Sequence, residues 1–148
     1  MQQPESPFGS SACETSLGSS SADLAADQMS ADIAKLTNDH RARNGLPTLK
    51  VNADISEVAQ AWSTRLGQAG KLSHNPAYSK EIPRGWQLAS ENVLQNWKGA
   101  SAEELVQQWI RSPGHNMNML NPDITDMGVG YHVGPDGWAW ATQNFARY

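Results

Sequence analysis

Residues 109–131, WIRSPGHNMNMLNPDITDMGVGY, pass from the end of one helix through a polar loop into a strand. Upstream, Ser101 and Glu104 have the spacing of a capping box, and Ala102, Leu105, Val106 and Trp109 recur on one helical face. Ser112-Pro113-Gly114 predicts the stop of that helix, and a short helical turn is expected from Gly114 to Leu120. Downstream, GVGYHV places Val129, Tyr131 and Val133 on one side of a strand. GPDG supplies a turn, and WAWATQNFA returns as the second strand of a hairpin.

Working outward, Met29, Ile33, Leu36 and His40 share one face of an earlier helix, with Ser30 as its N-cap and Gly45 as its stop. LPTLKVN crosses to a second helix, where Asp54 and Glu57 fit a capping box. Ile55, Val58, Ala59, Trp62 and Leu66 form its buried stripe, and Gly70 ends it. Residues 71–90, with Pro76, Pro83 and Gly85, read as loop and turn, and WQLASENVLQ as a short strand. Helices first, a hairpin last and one strand between them predict an α+β fold in layers, not a run of βαβ units.

The chain has 148 residues, 39% of them hydrophobic, which suffices for one domain with its own core. Six tryptophans supply large apolar surfaces where Phe is scarce. Residues 1–28, rich in Ser, Ala, Gly and Pro, hold no sustained period and read as a mostly disordered tail or linker, leaving 29–148 as the domain. The tail lacks the basic start and apolar core of a signal peptide. Its SSAC ends like a lipoprotein signal, but no apolar stretch precedes it. Cys13, the single cysteine, lies in that tail, so the domain is expected to fold without disulfides or thiolate zinc sites. A lone thiol leaves reducing and oxidising compartments both open. No run approaches the ~18 apolar residues of a transmembrane segment. A net charge of -4 without any Lys/Arg cluster excludes nucleic-acid binding by a basic face, though not a metal-dependent nuclease.

The polar candidates are few. His40 sits on an apolar stripe and reads as a packed or hydrogen-bonded histidine; His132 alternates with inward residues and receives no function. His74 in LSHN and His115 in SPGHN both follow helix stops, in loops placed to meet in a cleft. Glu91 in SENV matters if it faces them, where it would orient an imidazole or serve as a base. Met117 and Met119 read as core or rim. The chain has no G-x-S-x-G elbow, H-E-x-x-H, phosphate loop or dinucleotide fingerprint. Residue chemistry alone reaches an α+β domain with a His/Glu cleft.

Five fragments in order carry the reading further: LTNDHRARNGLPTLKVNADISEVAQAWS, LSHN, SENV, WIRSPGHNMNMLNPDITDMGVGY and TQNFA. Over residues 30–148 the chain resembles the CAP superfamily of cysteine-rich secretory, antigen 5 and pathogenesis-related proteins (SCP domains), in its disulfide-free bacterial branch. The resemblance implies an α-β-α sandwich whose cavity holds two histidines and two acids, the histidines binding zinc or another divalent metal in several members. Matched by motif, His74 and His115 are the histidines, Glu91 is the first acid, and Asn118 is the polar residue that follows the second histidine. The second acid falls at Ser112, so the acidic pair is incomplete, and Asn116 stands where relatives often have arginine.

What the resemblance implies is a secreted or cell-surface protein with a His74–Glu91–His115 cavity that binds a divalent metal, without established catalysis. Its partners would be a lipid or small apolar ligand, for which Tyr78, Trp86 and Trp97 are candidate walls, or a cell-wall or host protein. A second reading is a metal-dependent hydrolase of peptide, cell-wall or phosphodiester bonds, with Glu91 as base and Asn118 or Ser112 as polarising donor. A third makes the histidines and Glu91 a structural hydrogen-bond network.

Overall fold

The structure, a computed structural model, describes residues 21–148; Cys13 and most of the stretch read as a tail lie outside the described residues. Helix α1 (Ser21–Arg43) starts well before Ser30. Its first turns are exposed, so no apolar period marks them, but Ala, Leu and an early Asp23 favour helix on propensity and dipole grounds. The buried face is Ile33, Ala34, Thr37 and Arg41, rotated from the apolar stripe toward two polar side chains.

After strand β1 (Lys50–Val51) comes helix α2 (Ala53–Ala69). Its N-cap is Asn52, not Asp54: Asn52 Oδ1 accepts from the N–H groups of Asp54 at 3.0 Å and Ile55 at 3.3 Å. Asn52 outcompetes Asp54 because its Nδ2 also donates to Asp126 Oδ2, at 3.1 Å, fixing the helix start to the sheet. Gly70, at φ 67°, closes the helix in the left-handed conformation. Residues 71–90, expected as loop, also contain the single-turn helix α3 (Tyr78–Glu81).

Strand β2 (Leu88–Trp97) leads to helix α4 (Ala102–Ile110), which opens with the capping box of Ser101 and Glu104 and buries Ala102, Leu105, Val106 and Trp109. Helix α4 ends just before Ser112-Pro113-Gly114, as expected. The short helix that follows, α5 (Pro113–Met119), starts one residue earlier than expected, with Pro113 in its first position, where a missing N–H costs nothing. Strands β3 (Asp126–Val133) and β4 (Trp138–Arg147) form the C-terminal hairpin, with Gly137 in its turn at φ 87°.

The sheet order is β1-β3-β4-β2, with β1 parallel to β3 and the other pairs antiparallel. Alternate residues of β4 serve opposite layers. Ala139, Ala141 and Phe145 join Ile33, Leu105, Val106, Trp109 and Met119 in the larger core beneath α1, α4 and α5. Trp140 and Ala146 face α2, packing with Leu66, Val93 and Ile55, while Thr142 Oγ1 meets Ser63 Oγ at 2.8 Å. This is an α-β-α sandwich.

Strand β1 covers β3 for only two residues, and α2 seals the rest of that edge. Gln60 accepts from Tyr131 N–H and donates to its carbonyl, both at 2.9 Å, and Ser56 Oγ accepts from Val129 N–H at 3.3 Å. Such closeness needs the glycines of GVG: a Cβ on Gly128 would overlap the backbone of Ile55 and Ser56, and one on Gly130 that of Ala59 and Gln60. At the other side of the sheet, β2 is an edge strand, and the polar residues of interest gather along it.

Candidate functional site

Glu91 lies on β2 with its side chain only 1% exposed, whereas the His74 side chain is 63% exposed. Oε1 of Glu91 receives His74 Nδ1 and the N–H of Asn75, each at 2.9 Å, and Oε2 receives Asn144 Nδ2 at 3.0 Å. A carboxylate accepts, so His74 donates from Nδ1, and Nε2 remains as the nitrogen available to an external ligand. The loop bearing His74 is itself anchored: Trp62 Nε1 of α2 donates to the Ser73 carbonyl at 2.9 Å. Asn75 is buried and donates through Nδ2 to Glu81 Oε1 at 2.8 Å.

His115 approaches from the opposite layer. Ser112 holds the N-cap position of α5, but its hydroxyl meets His115 Nδ1 at 2.9 Å instead of capping a backbone N–H. His115 too therefore keeps Nε2 free of the bond that fixes its ring. Burial, and then the charge of His74, push the pKa of His115 below the ordinary histidine value. Both histidines are tied to the edge strand, His74 through the Glu91 side chain and His115 through the bond from Asn92 to its carbonyl. Neutral imidazole is the form such a pair needs to bind a metal.

Helix α5 is held from three directions. Asn92 Nδ2 donates to the His115 carbonyl at 3.0 Å, and Asn118 Nδ2 donates to Asn92 Oδ1 at 2.9 Å. His40 Nε2 meets Asn116 Oδ1 at 2.7 Å, so His40 is a hydrogen-bonded link between α1 and α5. Arg41, 1% exposed, donates to the carbonyls of Pro47 at 2.9 Å and of Met119 and Asn121 at 2.8 Å each. Burial lowers its pKa, and three carbonyls solvate it in place of a carboxylate. The Asn75, Asn92, Gln143, Asn144 and Arg41 contributions were not singled out from sequence; only strand register could have revealed Asn92, Gln143 and Asn144 as partners.

The aromatic residues do not form one wall beside the histidines. Trp97 sits six residues beyond Glu91 along β2, roughly 20 Å away at strand spacing, and packs edge-to-face with Trp138 at 5.7 Å. Trp86 Nε1 donates to the Ser79 carbonyl at 2.9 Å. Tyr78 does lie near the site: burial and then the Glu91 charge raise its pKa, and its hydroxyl donates to the Ala89 carbonyl at 3.3 Å. His132 packs against Gly67, where a Cβ would overlap its ring.

As a metal site the donor set fits in part. Two imidazoles, each fixed at Nδ1, suit zinc or a similar ion. Among the described residues no group of three or more His, Cys, Asp or Glu is arranged to hold an ion, so a closed structural zinc does not fit. The donors on offer are two ring nitrogens, His74 Nε2 and His115 Nε2, neither of them used by the bond that fixes its ring.

This α-β-α sandwich is the architecture of the SCP class of domain. The family model of the CAP, cysteine-rich secretory protein family matches residues 34–145, and the chain belongs to that family. It is 32% identical over 120 residues to the uncharacterized protein YkwD of Bacillus subtilis, covering 76% of this chain and 45% of that one. The crystal structure of an extracellular SCP-domain protein from Bacillus anthracis matches with TM-score 0.74 and 28% identity, over 91% of this chain and 45% of that chain. An outer surface protein of Borrelia burgdorferi shares the fold at TM-score 0.72 and 17% identity, over 81% of this chain and 92% of that one. The chain thus spans under half the length of the Bacillus relatives it matches. Among the described residues, no helix is long and apolar enough to cross a membrane.

Proposed function

We propose that this is an extracellular CAP-domain protein whose His74–Glu91–His115 site captures a divalent ion, zinc foremost, and presents it to an external ligand. The observation that carries this reading is the matched anchoring of the two rings. Each Nδ1 is occupied by its own partner, a carboxylate for His74 and a hydroxyl for His115; the carboxylate leaves a lone pair on His74 Nε2, and His115 offers a second when its Nδ1–H donates to Ser112. An ion held there would supply Lewis acidity and open positions for a carboxylate, phosphate or carbonyl oxygen. The extracellular assignment draws on the Bacillus anthracis relative, which is described as extracellular.

Binding is favoured over hydrolysis by the state of Glu91. Both its oxygens are already engaged and its side chain is 1% exposed, which suits a group that orients His74 better than one that takes a proton from water. The small apolar ligand finds more support in the cleft of about 420 Å³ between α1 and α2 than beside the histidines: Ala31, Ala34, Val51, Ala53 and Val129 give it an apolar floor, and Asp27, Ser30, Ser56, Glu57 and Gln60 a polar rim. Displacement of an uncharged fluorescent apolar probe, weakened by Ala31→Gln at an exposed position of the lining, tests that part.

Zinc titration of the metal-free chain, followed by the imidazole carbon-proton NMR signals, tests the main reading. His74 and His115 should shift together and saturate at one ion per chain, while His40 and His132 stay still. Shifts at His40 or His132 instead, or none at all, would overturn it.

A further inference from the structure

Two neighbouring rungs of the β2–β4 ladder carry polar side chains where a sheet interior ordinarily holds apolar ones. Glu91 stands opposite Asn144, and Asn92 opposite Gln143. Successive residues of a strand point to opposite faces, so the first rung serves the α2 layer and the second the α4–α5 layer. Asn92, Gln143, Asn144 and Thr37 are all 0% exposed. Burying so many carboxamides is costly unless each is committed to a partner.

The commitments run in one direction. Thr37 Oγ1 donates to the Ile33 carbonyl at 2.8 Å, so toward Gln143 it can only accept, and Gln143 Nε2 donates to it at 2.8 Å. Gln143 Oε1 is thereby turned to accept from Asn92 Nδ2 at 3.1 Å. The same Nδ2 group donates to the His115 carbonyl at 3.0 Å, and Asn92 Oδ1 accepts from Asn118. A backbone carbonyl of α1 thus sets the orientation of every amide up to the helix that bears His115. On the other face, Asn144 Nδ2 fixes one oxygen of Glu91 while the other holds His74.

We propose that Asn144 on one face, and Asn92 with Gln143 on the other, are positioning residues that set His74 and His115 relative to each other through the sheet. His74 lies in a coil and His115 in a seven-residue helix, neither rigid by itself. Two consecutive residues of a paired strand supply a fixed spacing between them. The proposal rests on the reading of this histidine pair as the functional site, but its test needs no metal.

The experiment is imidazole nitrogen NMR on the labelled 148-residue chain at pH 7.5 with chelator present. In the wild type, His74 should be mainly the Nδ1–H tautomer. Asn144→Ala should return His74 to a population dominated by Nε2–H and leave the His115 ring signals in place. Asn92→Ala and the distant Thr37→Val should move the His115 signals and leave His74 in place. Both rings responding alike to either rung, as general loosening would make them, or neither responding, would overturn the proposal. Should the asparagine variants fail to fold, Thr37→Val still decides, together with wild-type exchange of the Asn92 and Asn144 side-chain amide protons, which should be slow. A parallel zinc titration separates the two ideas. Rung-specific ring responses without zinc binding would sink the metal reading alone; zinc affinity lowered about 10–100-fold in both rungs' variants would join them.

Discussion

Glu91 reaches His74 Nδ1 at 2.9 Å from a position 1% exposed, while the ring it holds is 63% exposed. A buried anchor therefore fixes a solvent-facing imidazole, and the strength of that arrangement comes from the other donors to the same carboxylate. Asn75 N–H and Asn144 Nδ2 lose their acceptor if Glu91 is truncated. Glu91→Ala should lower unfolding free energy by about 3 kcal/mol, the cost of two orphaned buried donors plus a small cavity. Urea denaturation measures it, and a loss below about 1 kcal/mol would contradict the geometry.

The depressed pKa of His115 makes stability depend on pH. The unfolded chain takes up a proton near the ordinary value of about 6.5, and the folded chain only at lower pH. This contribution is full above about 6.5 and is lost as pH falls toward the folded value. Thermal midpoints should decline on going from about pH 7.5 to 5.5, and His115→Gln should flatten the decline. An unchanged slope in that variant would assign the effect elsewhere.

Gly130 is where α2 lies directly on β3. Gly130→Ala forces the helix backbone away and loosens the Gln60 bonds that seal the strand edge. A destabilisation of about 2–3 kcal/mol, or failure to accumulate as folded protein, is expected. Gly114→Ala, with open space around the added carbon, is the matched control and should cost little.

Arg41 joins α1 to the end of α5 through three carbonyls. Lysine carries the charge but not the planar fork, so Arg41→Lys should cost about 2–4 kcal/mol and leave far-ultraviolet circular dichroism unchanged below the transition. Stability equal to wild type would show that the fork is dispensable.

Much of this was legible because the signals were local. Ser101 and Glu104 announce α4 by spacing, Gly70 ends α2 as its conformation requires, and the hairpin follows from alternation around GPDG. What was not legible depends on partners distant in sequence. Asn52 wins the cap of α2 only because Asp126 stands beside it, and the early start of α1 shows in propensity, not in period. His74, Glu91 and His115 could be named by motif, whereas Asn92, Gln143 and Asn144 resemble ordinary solvated residues until register brings them opposite one another. Trp97 went the other way, named as a wall beside the histidines and found paired with Trp138 at the far end of β2.

The central claim is that His74 and His115 together bind one divalent ion in the folded chain. Thermal unfolding of the wild type and the His74→Ala/His115→Ala double variant, each after chelation and again with excess zinc at pH 7.5, tests it most directly. A ligand bound only by the folded state adds RT ln(1 + [L]/Kd), about 2.7 kcal/mol at a hundredfold excess over Kd. The account predicts a zinc-dependent rise in midpoint in the wild type that disappears in the double variant. No rise, or an equal rise in both proteins, would contradict it.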